Sequence, residues 1–411
     1  MLESASLPLW PLLAVALSLF APLGASLLVA DEDAPRRVGT ISLVALLITL
    51  VGYAATGFAI HFGGIGILID HPDVATLVWE WTPLKHGQLS FWGVAGWMGF
   101  GMAESQSPLA ALLFLSALPL AATASLLAMT ALWKRTSAAE GIFMAALIAF
   151  VLAPLVGNWT QAGGWLMHLG QSLGAGDGYL DFGGASFFLL AGGVALAALL
   201  AFRDTRLQPP TTDDGLFPAL GASLLIIASI GWIIASPLQL WMGSSPIQGA
   251  LNGLLALTAG GLIGLAYSWF ILGEPGVTWT SRCAAAGWVA ALAAIPWISP
   301  LQSMLIGAVA AWIYIMVVWL VRELLGWYDP GDLFSVFGPP AGWGLLVAGF
   351  FAPSKGQFRA QIIGVASIFL LAFFVTSIYL MVIYLIHSIA DAKRRAETIS
   401  EPEPDTFLSE Q

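Results

Sequence analysis

The chain has 411 residues, with 14 Lys or Arg, 24 Asp or Glu, 58% apolar residues and only 9% charged ones. An ordinary soluble domain carries about a quarter charged residues, so a water-soluble enzyme, a disordered chain and a nucleic-acid binder are excluded. The net charge of −10 gathers in loops and in the tail after Arg395, and describes no single partner surface. One cysteine, Cys283, excludes an internal disulfide, an iron–sulfur cluster and a multi-cysteine zinc site. The chain reads as a polytopic membrane protein, with membrane lipid as its first partner.

A span needs about twenty apolar residues. In chain order, eleven such runs fall at 9–30, 38–60, 109–133, 138–156, 183–202, 216–240, 251–272, 283–298, 301–325, 336–352 and 360–388. The eighth and tenth are short and interrupted by Gly and Pro. The last would reach about 43 Å if wholly helical, so it is expected to tilt or protrude. The link 61–108 carries Trp79, Trp81, Trp92 and Trp97 and reads as a folded loop at the membrane interface. Residues 389–411 read as an acidic cytoplasmic tail without order.

Basic residues set the orientation. With the N-terminus outside, Arg36, Arg37, Lys134, Arg135, Arg203, Arg206, Arg282, Arg322, Lys393, Arg394 and Arg395 face the cytoplasm. Only Lys85, Lys355 and Arg359 lie outside, a strong positive-inside bias. The expected location is the plasma (inner) membrane, with the C-terminus cytoplasmic. No basic residue precedes the first apolar run and Glu3 flanks it, which argues against a cleaved signal peptide.

The spans divide into halves at 9–202 and 216–352 plus an extra helix at 360–388, all in one transmembrane domain, 1–388. Five is odd, so the second half is inverted relative to the first. Near the end of each half stands an acidic residue followed by Phe and small residues: Asp181-Phe182-Gly183-Gly184-Ala185-Ser186-Phe187-Phe188, and Asp332-Leu333-Phe334-Ser335-Val336-Phe337-Gly338. Inverted repeats of this kind place a pathway between the halves near mid-membrane.

Those stretches resemble the ammonium transporter/Rh family. Gly163-Gly164-Trp165-Leu166, Leu169-Gly170 and Asp181-Phe182-Gly183-Gly184 are similar to the segment leading into that family's fifth helix. Asp332-Leu333-Phe334, Gly338, Trp343-Gly344 and Gly349-Phe350-Phe351-Ala352 are similar to its tenth. Gly57-Phe58, Phe62-Gly63-Gly64, Gly231-Trp232, Ile298-Ser299-Pro300 and Ile306-Gly307-Ala308 match in order along the chain. The resemblance implies an all-α, eleven-helix protomer in two inverted halves with a central pore, and a homotrimer. It also implies an entrance built from aromatic residues and a serine, a phenylalanine gate, and two facing pore histidines that handle protons.

The departures bear on function. The first pore histidine falls on Phe188 and the second on Phe337, and a phenyl ring offers neither donor nor acceptor. The gate phenylalanine and entrance serine fall on Ala235 and Gln239. The entrance tryptophan falls on Thr160, with Trp159 beside it. The basic glycine-pair signature between the first spans reads Ala30-Asp31-Glu32-Asp33, and the tail lacks the family's Gly-Leu-Asp element. Asp181 and Asp332 each carry two readings, a carboxylate shaping a vestibule or a helix N-cap satisfying free amides. Phe188 and Phe337 are either a pore plug or ordinary membrane-helix packing.

Other chemistry finds no foothold. His61, His71, His86 and His168 read as loop or span-end residues and His387 lies at the cytoplasmic end, so no pair could ligate a haem. Gly260-Gly261-Leu262-Ile263-Gly264 reads as a close helix-packing surface. No paired carboxylates, nucleophile elbow or phosphate loop appears, so no enzyme and no cofactor are expected. The expected function is a channel protein with an apolar, histidine-free pore, passing a small neutral molecule (ammonia or another gas) or inactive in transport. The alternative is a structural transmembrane subunit among other membrane subunits; a sensor comes third, since no signalling domain follows the last helix.

Overall fold

The computed structural model describes residues 9–30, 35–82, 92–103, 107–133, 135–203, 215–236, 245–352 and 354–400. Among these, nine helices are long and apolar enough to cross a membrane: α1 (Pro11–Leu28), α2 (Val38–Leu68), α3 (Pro108–Trp133), α4 (Ala138–Gln161), α6 (Leu216–Ile234), α7 (Pro246–Leu272), α9 (Pro300–Leu324), α10 (Pro330–Phe351) and α11, whose apolar part is Gln357–Arg395. Two shorter helices complete the set, α5 (Ala185–Ala201) and α8 (Val277–Ala291). Each of the eleven expected segments thus contains a helix among the described residues.

Burial sorts them. A helix apolar on every side belongs inside a bundle, and α3 buries nearly its whole length. By contrast α11 leaves Phe374, Ile378, Met381, Tyr384 and Leu385 exposed, as a lipid-facing helix does. The halves meet where α5 crosses α10 at Gly192 and Gly338; a Cβ on Gly192 would overlap the Gly338 backbone. Small residues at such a crossing let two helices approach closely without a hydrophobic drive. Helix starts follow local chemistry: Ser137 with Glu140, and Ser299 with Gln302, each form a reciprocal capping box.

Several boundaries differ from the sequence expectation. Helix α2 runs through a π-turn at Tyr53–Gly57 and past residue 60, so His61 lies inside it and is fully buried rather than at a span end. Helix α8 starts at Val277, six residues early, which carries Arg282 into the helix. Helix α6 stops at Ile234, with Ala235 as its C-cap. The last helix continues to Ser400, so residues 389–400, expected to lack order, are helical; residues 401–411 lie outside the described set.

The link after α2 folds over one end of the bundle. Strand β1 (Glu80–Trp81) pairs antiparallel with β2 (Ala95–Gly96). Trp159 Nε1 of α4 donates to the Val94 carbonyl at 2.8 Å and the Trp165 amide donates to Gly93 at 2.8 Å. Trp92 stacks on Trp165 with ring centroids 5.1 Å apart.

Candidate functional site

The head of α5 is organised by Asp181. Its carboxylate is fully buried and accepts the amides of Ala185 and Ser186, each at 2.8 Å. The first turn of a helix has amides without intrahelical partners, and here a buried carboxylate satisfies two of them. Burial pushes the Asp181 carboxyl up from its ordinary range, while hydrogen bonds from Ser186, Ala185 and Gly184 pull it back. Asp181 therefore does what an N-cap does.

One turn into α5, Phe188 meets Phe337 of α10. The rings are stacked, with centroids 5.3 Å apart and 26° between planes. Two indoles enclose them: Trp232 of α6 lies 5.8 Å from Phe188 and Trp288 of α8 lies 5.7 Å from it. The indoles also contact each other edge-on at 5.5 Å. All four rings are buried, and Trp232 Nε1 is anchored on the Gly183 carbonyl at 2.7 Å. Residues from both halves thus converge in one aromatic cluster, as the repeat pattern predicts.

Beside the cluster lies a narrow crevice lined by Ser18, Ser116, Pro119, Leu120, Gly183, Trp232 and Ser236. It is too narrow to hold a water molecule. Its hydroxyls are spent on backbone carbonyls: Ser236 donates to Phe182 at 2.7 Å, Ser18 to Val15 at 2.7 Å and Ser116 to Leu113 at 2.9 Å.

The expected entrance residues fare differently. Ala235 is buried in a small cluster with Ala14, Val15 and Leu112 and does not line the crevice. Thr160 turns its hydroxyl onto the Val156 carbonyl of its own helix at 2.8 Å, and Trp159 is committed to the β-hairpin. Gln239 lies outside the described residues. The residue that sequence reasoning missed is Gln161. It is fully buried next to Leu120 and Gly184, and neither atom of its amide has a hydrogen-bond partner. The available signal was a glutamine closing an apolar helix before Ala162-Gly163-Gly164.

Asp332 departs from both of its sequence readings. It sits in the left-handed region, φ 54°, and its buried carboxylate accepts Arg282 Nη1 at 2.8 Å, the Tyr314 hydroxyl at 2.9 Å and the Arg322 guanidinium. The cap of α10 is Asp329 instead, which accepts the amides of Phe334 at 3.2 Å and Ser335 at 2.9 Å, and the Ser335 hydroxyl at 2.9 Å. The reason is positional. With arginines facing it from α8 and α9, the Asp332 carboxylate gains more from two guanidiniums than from amides, which leaves capping to its neighbour. Burial raises the Asp329 carboxyl to about 6, with the Asp332 charge acting in the same direction. Among the described residues, no group of three His, Cys, Asp or Glu is placed to hold a metal ion.

The profile of the Ammonium Transporter Family matches residues 9–398 of this chain. Ammonium transporter Amt2 of Archaeoglobus fulgidus is 28% identical over 368 residues, 85% of this chain and 73% of that protein. An ammonium transporter of Aquifex aeolicus is 29% identical over 258 residues, 59% of this chain and 58% of its own length. Among solved structures, a Sensor Amt Protein superposes with a TM-score of 0.74 at 19% identity, over 91% of this chain and 92% of that one. Candida albicans Mep2 superposes with a TM-score of 0.72 at 21% identity, over 91% and 83%. At those identities the solved structures speak to the fold alone.

Proposed function

Since the chain belongs to the Ammonium Transporter Family, we propose that its pathway runs past Phe188 and Phe337 and carries a small neutral molecule, ammonia above all, and not ammonium ion. The observation that carries this reading is the stack of those two rings at 5.3 Å. An ion crossing a dry lumen must shed its water or its proton, because a bare charge there is costly. Phenyl rings have no donor or acceptor to relay that proton, and stacked against each other they keep their faces from a cation. A neutral molecule needs only that the rings part. Gln161, buried near Gly184, offers an unpaired amide donor and acceptor, a means of holding a molecule that both gives and takes hydrogen bonds. The work is passage, not catalysis, and the same reading has a homotrimer in the plasma membrane with the N-terminus outside.

Solid-supported-membrane electrophysiology on purified protein in liposomes tests this with an ammonium jump. The expected result is no current, together with a rise of internal pH as ammonia enters. Phe188→Ala with Phe337→Ala should accelerate that rise, and Phe188→His with Phe337→His should still give no current, since the entrance lacks its serine. A saturable ammonium current in the wild-type protein overturns the reading.

A further inference from the structure

Between α10 and α11 lies an open groove of about 390 Å³. One wall is a stripe of α10 at four-residue spacing, Phe334, Gly338, Gly342 and Leu346. The other wall is Ile362, Ala366 and Phe369 of α11, and Leu189 of α5 reaches in between. Every side chain that lines the groove is apolar. A Cβ on Gly342 would meet only Leu189, at 3.8 Å, so the chain itself leaves this space unfilled.

The end of the groove near Ile362 is basic. Arg359 and Lys355 are exposed there, and Arg359 shares a face of α11 with Ile362 and Ala366, three and seven residues on. Arg359 lies in the first turn of α11, where the helix dipole is itself positive and disfavours a cation. Among the described residues neither side chain forms a salt bridge. Asp177, the carboxylate that reaches this turn, accepts the Ser354 hydroxyl. Two cations at a helix N-terminus without a counter-ion call for an anion, and the groove beside them calls for something apolar.

We propose that the groove holds one acyl chain of an anionic phospholipid whose phosphate lies at Lys355 and Arg359. Such a lipid presents its two chemistries in the order the protein does. Arg359 stands one turn before Ile362, and Phe369 lies about 10 Å further along the helix. Water finds no donor or acceptor on these walls, whereas an acyl chain restores the dispersion contacts that an apolar void forfeits. Long basic side chains reach from apolar helices to the membrane surface, where they attract anionic lipid. Leu189 and Gly338 adjoin Phe188 and Phe337 in sequence, so a seated chain packs beside the α5–α10 crossing that holds the stacked rings.

Full-length protein in phosphatidylcholine nanodiscs tests this, with a small share of phosphatidylglycerol carrying a diazirine on its acyl chain. After irradiation, mass spectrometry should find the label on peptides covering 334–346 and 362–369, severalfold above the exposed stretch 374–385. Placing the diazirine on phosphatidylcholine instead should cut that label severalfold. Lys355→Gln with Arg359→Gln should erase the difference between the two lipids. Gly342→Leu fills the groove and should remove the label; Ala366→Phe, which narrows it from the other wall, should do the same if the first variant fails to fold. Label spread evenly over the lipid-facing helices overturns the proposal. So does a label indifferent to headgroup, or one that survives in a folded groove-filling variant. Absence of label at both stretches, the result if a second copy of the chain covers the groove, overturns it as well.

Discussion

The heads of α5 and α10 start from similar sequence and end in different energetics. At α5 a single buried carboxylate, Asp181, caps two amides and, among the described residues, has no guanidinium as a hydrogen-bond partner. At α10 the work divides: Asp329 caps, and Asp332, five residues before Phe337, turns away to join α8 and α9 through Arg282, Tyr314 and Arg322. Both arrangements deliver a phenyl ring to the same place. A matching motif therefore predicts where the backbone goes better than it predicts what the carboxylate does, because its partners come from other helices.

The largest expected effect separates the two heads. Removing one partner of a buried, hydrogen-bonded ion pair costs about 3–5 kcal/mol, since the remaining charge is left uncompensated. The Arg282 side chain is only 10% exposed where it meets Asp332. Asp332→Ala should therefore lower the thermal midpoint in detergent more than any other single change at either head. A pair of apolar replacements, Arg282→Met with Asp332→Leu, should recover part of that loss. A midpoint for Asp332→Ala no lower than that of Asp181→Ala would break the comparison.

A smaller effect is expected where carboxylates only cap. Loss of an N-cap costs about 0.5–2 kcal/mol, and Asp181→Ala and Asp329→Ala should both fall in that range. Asp181→Asn should lose less than Asp181→Ala, because the side-chain oxygen that accepts an amide survives. Equal losses for the two variants would mean that the negative charge, not the acceptor, matters at α5.

Much of this was legible in the sequence. The apolar runs marked all eleven helices, although several ends moved by six residues or more, and the two acidic, Phe-containing stretches placed Phe188 and Phe337 on crossing helices of opposite halves. What was not legible needed contacts over long separations. Arg282 and Arg322 reach Asp332 across 50 and 10 residues, and no local pattern announces that they will displace a cap onto Asp329. His61 looked like a loop residue because hydropathy drops at its position, yet the helix continues through it. Gln161 drew no notice because the expected matches fell on Trp159 and Thr160. Its importance rests on two unpartnered atoms, a feature that exists only in the folded chain.

The smallest expected effect tests whether the network at α10 is graded by burial. Arg322 bonds to the same carboxylate as Arg282, but its side chain is 40% exposed. Water already reaches that guanidinium, and without it Asp332 would still hold Arg282 and Tyr314. Pairs of this exposure contribute about 0–1 kcal/mol, so Arg322→Gln should shift the thermal midpoint only slightly. The shift should shrink further at high salt, where exposed charges are screened over about 3 Å at 1 M, whereas that of Asp332→Ala should persist. A salt-insensitive loss at Arg322 as large as that of Asp332→Ala would mean that both arginines are structurally equal, and that exposure does not grade this network.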